Sequence, residues 1–179
     1  KGFDSPSFYT SLTIDQPAHR SSLLRLGSWE AGWQNFTDAD VLLAVGYNPL
    51  VSSYGPASGL QGTNPFIKLR DAKKRGLKLI VIDPRRSELA TQADVWLQVK
   101  PGEDPTLLAS MIGYILNNDL HDTRFCEQYV DQAQLSKLKE TCSAFTLNYA
   151  ADRCDVPMND IKLAAETFAS GPKGTAGSG

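Results

Sequence analysis

From Asp40 onward, short apolar runs alternate with amphipathic stretches. Val41-Leu42-Leu43-Ala44-Val45 is an unbroken apolar run closed by Gly46, the pattern of a strand buried on both faces. A long polar stretch rich in Gly, Pro and Ser follows, over 46–65. Residues 66–75 then read as a helix, with Phe66, Ile67, Leu69 and Ala72 on one side and Gly76 as its stop. Leu77-Lys78-Leu79-Ile80-Val81-Ile82 is a second strand, ended by Asp83-Pro84, because proline cannot continue the ladder. A third short run covers 95–99, before Pro101-Gly102. Asp104 suits the N-cap of the next helix and Pro105 its first turn. That helix is expected to run to about Asn117, with Leu107, Leu108, Met111, Ile112 and Ile115 as its buried stripe. Further helices are expected over 122–131, 133–142 and 157–169.

Strand, helix and strand in this order make a βαβ unit, which implies parallel strands and a crossover connection. The predicted fold class is α/β: a Rossmann-like αβα domain on a parallel sheet, with additional C-terminal helices. Three regions are expected. Residues 1–37 mix Ser, Thr, Pro and aromatics without a clear period; Trp29 and Trp33 are four apart and could share a helix face. Residues 38–170 form the αβα domain. Residues 171–179 are rich in Gly, Ser and Thr and read as a linker or a loop cut before its next element.

Composition narrows the function without naming it. The chain has 179 residues, 41% hydrophobic and 21% charged, with a net charge of −2. That is enough apolar content for a packed core and excludes a disordered tail or a disulfide scaffold. The acidic balance gives no footing for a nucleic-acid partner, whose phosphates require a basic face. No run of about 18 apolar residues is present to span a membrane. No targeting segment is visible, so a cytoplasmic location is expected. The sequence starts at Lys1 rather than Met, and the chain is read as a piece of a longer protein. Cys126, Cys142 and Cys154 form no Cys-x-x-Cys pair, so a disulfide framework or a self-contained zinc site is not expected. The sequon Asn35-Phe36-Thr37 carries no weight on its own.

In an open parallel sheet, ligands bind beyond the carboxyl ends of the strands. Three segments fall there: Gly46-Tyr47-Asn48-Pro49, Asp83-Pro84-Arg85-Arg86 and Pro101-Gly102-Glu103-Asp104. Gly46 lets backbone approach a ligand closely. Asn48 offers an amide to a phosphate or sugar oxygen, and Ser52 and Ser53 could add hydroxyls. Asp83 stands where an acidic residue meets ribose in dinucleotide folds. Arg85 and Arg86 could neutralise a pyrophosphate. Asp104, acceptor-only when ionised, could take two parallel hydrogen bonds from adjacent donors such as N1 and the 2-amino group of guanine. Each has a plainer reading: Gly46 and Asn48 as a turn, Asp83 as a strand end, Asp104 as a helix cap. Neither Gly-x-Gly-x-x-Gly nor a Gly-Lys-Ser/Thr loop is present, so a standard NAD site or a nucleoside triphosphatase is poorly supported.

The runs Asp38-Ala39-Asp40 to Pro49, Val81-Ile82-Asp83-Pro84-Arg85-Arg86-Ser87-Glu88-Leu89-Ala90, Ala93-Asp94-Val95-Trp96-Leu97 and Lys100-Pro101-Gly102-Glu103-Asp104 together resemble the molybdopterin oxidoreductases. That group includes dimethyl sulfoxide reductases, formate dehydrogenases and nitrate reductases. Asp119-Leu120-His121-Asp122-Thr123-Arg124-Phe125 resembles the family's next helical segment. The resemblance implies a molybdenum or tungsten enzyme with two molybdopterin guanine dinucleotides. This chain would be one of its nucleotide-binding domains, inactive alone. Carried over by position, Gly46, Tyr47, Asn48, Ser52, Asp83, Pro84, Arg85, Gly102 and Asp104 would hold the guanosine and pyrophosphate of one cofactor.

The resemblance also implies an iron–sulfur cluster in a preceding segment, further domains of the parent enzyme as partners, and an electron-transfer subunit. It aligns Asp15 with the family's protein metal ligand, where an oxygen donor suits a hard metal; the plainer reading is that Asp15 starts a turn or caps a short helix. His19 could shuttle protons nearby or simply pack. The alternatives are a non-catalytic scaffold domain of an electron-transfer complex, or an unrelated Rossmann-like domain such as the middle domain of a thiamine-dependent enzyme.

Overall fold

The computed structural model describes residues 38–51 and 64–178, all within the unit Trp33–Gly179. Strand β1 (Val41–Val45), helix α1 (Pro65–Lys74), strand β2 (Lys78–Ile82) and strand β3 (Val95–Leu97) appear in that order. Helices α2 (Asp104–Asn117), α3 (Thr123–Tyr129), α4 (Gln132–Cys142), α5 (Leu147–Cys154) and α6 (Met158–Ser170) follow, and strand β4 (Gly174–Ser178) closes the chain. All strand pairs are parallel, in the order β3-β2-β1-β4. The α/β class and the parallel sheet expected from the apolar runs are present.

The sheet is covered on both faces, which explains why its inner strands lack polar alternation. Leu42 and Ala44 of β1 join Leu79 and Val81 of β2 under Leu69 and Ala72 of α1. Val41, Leu43, Ile80 and Ile82 point the other way, onto Leu107 and Met111 of α2, Ala150 and Cys154 of α5, and Ile161, Ala164 and Ala165 of α6. Asn64 caps α1 by accepting from the Phe66 amide at 3.0 Å, which satisfies one orphan donor of the first turn.

Several expectations are corrected. Residues 174–178 are not a linker: they form β4, paired with β1 from Val41↔Gly174 to Val45↔Ser178. The glycines that suggested flexibility serve close packing instead. A Cβ on Gly171 would collide with Val41 Cγ2, and one on Gly177 would lie 3.3 Å from the Tyr47 ring. Helix α5 was not expected, because it is short; Thr146 caps it through the Tyr149 amide at 3.1 Å. Strand β3 stops at Leu97, where the Val99 amide turns back to the Leu97 carbonyl at 3.0 Å.

The N-cap position of α2 is Glu103, and Asp104 is its first helical residue. The buried stripe of α2 is also rotated from the expected one. Ser110, Gly113 and Leu116 are buried while Ile112 is exposed. The cause is α4: a Cβ on Gly113 would stand 3.0 Å from the Cys142 carbonyl oxygen, so small residues admit that helix. On α1, Phe66 and Ile67 are exposed rather than packed.

The path from β1 to β2 to β3 runs one way across the sheet, and β4 returns to the other side of β1. The strand order therefore reverses at β1. In open α/β sheets, the crevice at the carboxyl ends beside such a reversal is where ligands bind.

Candidate functional site at the carboxyl edge of the sheet

Three loops leave this edge, after β1, β2 and β3. Register places Val45 beside Ile82, and Ile82 beside Leu97, so the loops start level with one another.

The loop after β1 turns at Gly46, whose φ is +57°. A side chain there would meet open space, so it is the sign of φ that favours glycine. The Gly46 amide bonds the Ile82 carbonyl at 2.9 Å, extending the ladder one residue into the loop. Tyr47 is buried in the α1-side core, so its ring serves packing and its backbone is what lies near the edge. The Asn48 amide is used at both ends. Oδ1 accepts from the Leu50 amide at 3.3 Å, and Nδ2 donates to Glu88 Oε2 at 2.7 Å. Ser52 and Ser53 lie outside the described residues, as do Asp15 and His19.

The loop after β2 is held from both sides. Asp83 is buried, and its Oδ1 accepts from the Arg85 amide at 2.8 Å, an Asx turn that fixes the Asp-Pro-Arg bend. Two side chains of the β3 segment secure the backbone: Trp96 Nε1 donates to the Asp83 carbonyl at 3.0 Å, and Gln98 Nε2 to the Pro84 carbonyl at 3.1 Å. The two arginines are not equivalent. The Arg86 guanidinium lies 5.7 Å from the centre of the Trp96 ring, a cation–π placement. Arg85 instead approaches Glu88 Oε2 at 3.7 Å and is largely exposed. Glu88's carboxyl is held below its ordinary range by a backbone hydrogen bond first, then by the Asn48 amide, with the Arg85 charge adding to both.

The loop after β3 turns at Gly102, with φ +90°, and is anchored from behind by α5. The Lys100 amide bonds the Cys154 carbonyl at 2.9 Å. Glu103 Oε2 accepts from the Thr106 hydroxyl at 2.8 Å, and Oε1 from Arg153 Nη2 at 2.6 Å. Its pKa is lowered, first by Thr106 and then by Arg153, against an opposing desolvation. Cys154 Sγ sits 3.7 Å from the Glu103 carbonyl; burial pushes this thiol up, and the Glu103 charge adds to that. Among the described residues, no hydrogen-bond donor engages the Asp104 carboxylate, which is half-buried at the first turn of α2.

Asn48 and Arg85 are thus brought together around one carboxylate oxygen of Glu88. Gly102 and Asp104 share the sheet edge but belong to a loop tied to α5. Sequence reading missed Glu88 and Glu103 as the residues that hold these loops. Their partners are 40 and 50 positions away, and no local pattern announces such contacts. Chemically, the edge offers amide and guanidinium donors suited to phosphate oxygens and an unengaged carboxylate suited to a two-donor base edge. Among the described residues, no group of three or more His, Cys, Asp or Glu could hold a metal ion, and no helix is long and apolar enough to cross a membrane.

The model of one protein family, molybdopterin oxidoreductase, matches residues 9–166. An acetylene hydratase of Syntrophotalea acetylenica is 35% identical over 136 residues, which cover 76% of this chain and 17% of that protein. An F420-dependent formate dehydrogenase subunit alpha of Methanocaldococcus jannaschii is 32% identical over 132 residues, covering 73% of this chain and 18% of the relative. Among solved structures, the acetylene hydratase from Pelobacter acetylenicus superposes with a TM-score of 0.75 at 28% identity, over 96% of this chain and 22% of the other. The chain therefore spans about a fifth of the length of these relatives.

Proposed function

The chain belongs to the molybdopterin oxidoreductase family, and on that premise we propose that it binds the guanosine and pyrophosphate of one molybdopterin guanine dinucleotide within a larger molybdenum or tungsten enzyme. The observation that carries the reading is the edge itself. Three loops start level at the carboxyl ends of β1, β2 and β3, beside the reversal of strand order, and they carry complementary donors and acceptors.

Asp104 accepts the N1 and 2-amino protons of guanine, for which an ionised carboxylate has matching geometry. Asp83 keeps Oδ1 on the Arg85 amide and offers its remaining acceptor capacity to a ribose hydroxyl. Arg85 and Asn48 supply donors to the pyrophosphate, and Gly46 and Gly102 let the backbone turn at the loop starts without a side chain over the ligand. When bound, the cofactor's metal centre supplies the redox or oxygen-atom chemistry, and the protein supplies binding and orientation.

The two relatives described above carry the names of different activities, a hydratase and a dehydrogenase. A segment similar to both serves what two such enzymes can share, which favours cofactor holding over substrate selection. The remaining domains of the parent enzyme and an electron-transfer subunit are its proposed partners.

The test is an assay of the full-length parent for molybdenum, tungsten and acid-released guanine nucleotide. Metal accompanied by about two guanine nucleotides per atom supports the reading. Neither metal nor guanine, from a host that loads a control enzyme, would overturn it in favour of a non-catalytic scaffold.

A further inference from the structure

We infer that Glu88 is a positioning residue of this edge: its carboxylate fixes which way the Asn48 amide faces and ties the loop after β1 to the loop after β2. The inference rests on the nucleotide reading above and adds to it a residue outside the set that would touch the ligand.

A carboxamide can present either its oxygen or its NH2 to a neighbour, and rotation about χ2 exchanges them. An ionised carboxylate only accepts. Glu88 Oε2, 2.7 Å away, therefore selects the orientation in which Nδ2 faces it, and the Leu50 amide on Oδ1 selects the same one. Of the two Nδ2 protons, one is spent on Glu88 and the other remains for a ligand oxygen.

The platform behind Glu88 is rigid. Its neighbours Ser87 and Leu89 are 1% and 0% exposed. The Ser87 amide bonds the Arg85 carbonyl at 2.7 Å, and Ser87 Oγ accepts from the Ala90 amide at 3.3 Å. The Glu88 side chain thus reaches from a fixed backbone to a loop that needs fixing. The same oxygen lies 3.7 Å from Arg85 Nη2, but an exposed ion pair of this kind contributes little. The hydrogen bond to Asn48, not the charge, is what positions the amide.

The experiment uses the full-length holoenzyme with Glu88→Ala and Glu88→Gln. Glutamine keeps an acceptor oxygen for Nδ2 and removes the charge. The readouts are guanine nucleotide per polypeptide, its rate of loss after dilution, and the melting temperature. Glu88→Ala should lose nucleotide about tenfold faster than wild type, the size of one hydrogen bond, while Glu88→Gln stays within about threefold. Loss from Glu88→Ala at the wild-type rate or slower, or a Glu88→Gln as poor as Glu88→Ala, overturns the proposal. Should Glu88→Ala fold poorly, Glu88→Asp keeps the charge but shortens the side chain by one methylene, out of reach of Nδ2. It should shed nucleotide faster than Glu88→Gln; equal retention in the two counts against the proposal. Asp104→Asn runs alongside. If it sheds guanine while Glu88→Ala does not, only the Glu88 role fails. If wild type itself carries no guanine, the nucleotide reading fails and Glu88 with it.

Discussion

The loops after β2 and β3 present one aspartate each, and they hold it in opposite ways. Asp83 helps build its own loop: one carboxylate oxygen is committed to the Arg85 amide, and the Trp96 indole of β3 secures its carbonyl. Asp104 has no such duty. The structural work beside it falls to Glu103, which binds Thr106 within α2 and Arg153 of α5. Two adjacent acidic residues divide the labour, one fastening the loop and the other, half-buried, accepting from no donor among the described residues. A carboxylate that is part of the scaffold can lend a ligand only what the scaffold leaves over. One relieved of that task can give both oxygens.

The comparison breaks most visibly at the aspartates themselves. Asp104→Asn leaves one acceptor oxygen for two guanine donors and should weaken guanine-nucleotide retention by the full-length enzyme by about 10- to 100-fold, the range for a charge-assisted hydrogen bond. Asp83→Asn keeps Oδ1 for the Arg85 amide and should cost about threefold or less. Acid-released guanine per metal checks both, and a larger loss from Asp83→Asn would reverse the ordering. Next in size is Gly113→Ala. Its Cβ would stand 3.0 Å from the Cys142 carbonyl oxygen and force α2 away from α4, at about 1–3 kcal/mol in urea unfolding, partly offset by helix propensity. Equal or greater stability would show that the seat of α2 gives way freely.

Acid should act on the loop after β3 through Glu103. Its folded pKa is lowered from 4.5, so the native state binds its proton less readily than the unfolded chain. Its contribution is complete above pH 4.5 and is lost as pH falls through the folded value. Relative to wild type, Glu103→Gln should therefore melt lower at neutral pH, with the difference closing in acid. A difference independent of pH would count against this role. The smallest effect concerns the thiols. Burial raises Cys142 and Cys154, so half-buried Cys126 should be alkylated first at neutral pH, followed by mass spectrometry.

The sheet was legible in the sequence because Val41–Val45 and Lys78–Ile82 are apolar runs punctuated by Gly46 and Pro84, signals that local sterics impose. The loops that carry the candidate site followed from the rule that ligands bind at the carboxyl ends of parallel strands and from the resemblance. What escaped was set by contacts distant in sequence. The stripe of α2 turned because Gly113 admits α4, and Glu88 and Glu103 have no local signature. Residues 174–178 looked like a linker because Gly174, Ala176 and Gly177 have weak strand propensity; their pairing is with β1, about 130 positions earlier. Phe66 and Ile67 fit a helical period yet stay exposed, since periodicity does not say whether a neighbour stands on that side.

The position of β1 also bears on the order in which the molecule assembles. Val41 pairs with Lys78 on one side and with Gly174 on the other, so the second pairing closes a chain segment several times longer. Closure entropy grows with the logarithm of that length, an extra cost of about 1 kcal/mol, and a strand of small residues returns little apolar contact to offset it. The β1–β2 pairing can form early, over the α1 connection, whereas β4 waits until β1 and α6, whose Phe168 lies beside Gly174, are in place. Among the four described strands β4 should therefore dock last, and its amides should open to exchange before those of β1 and β2.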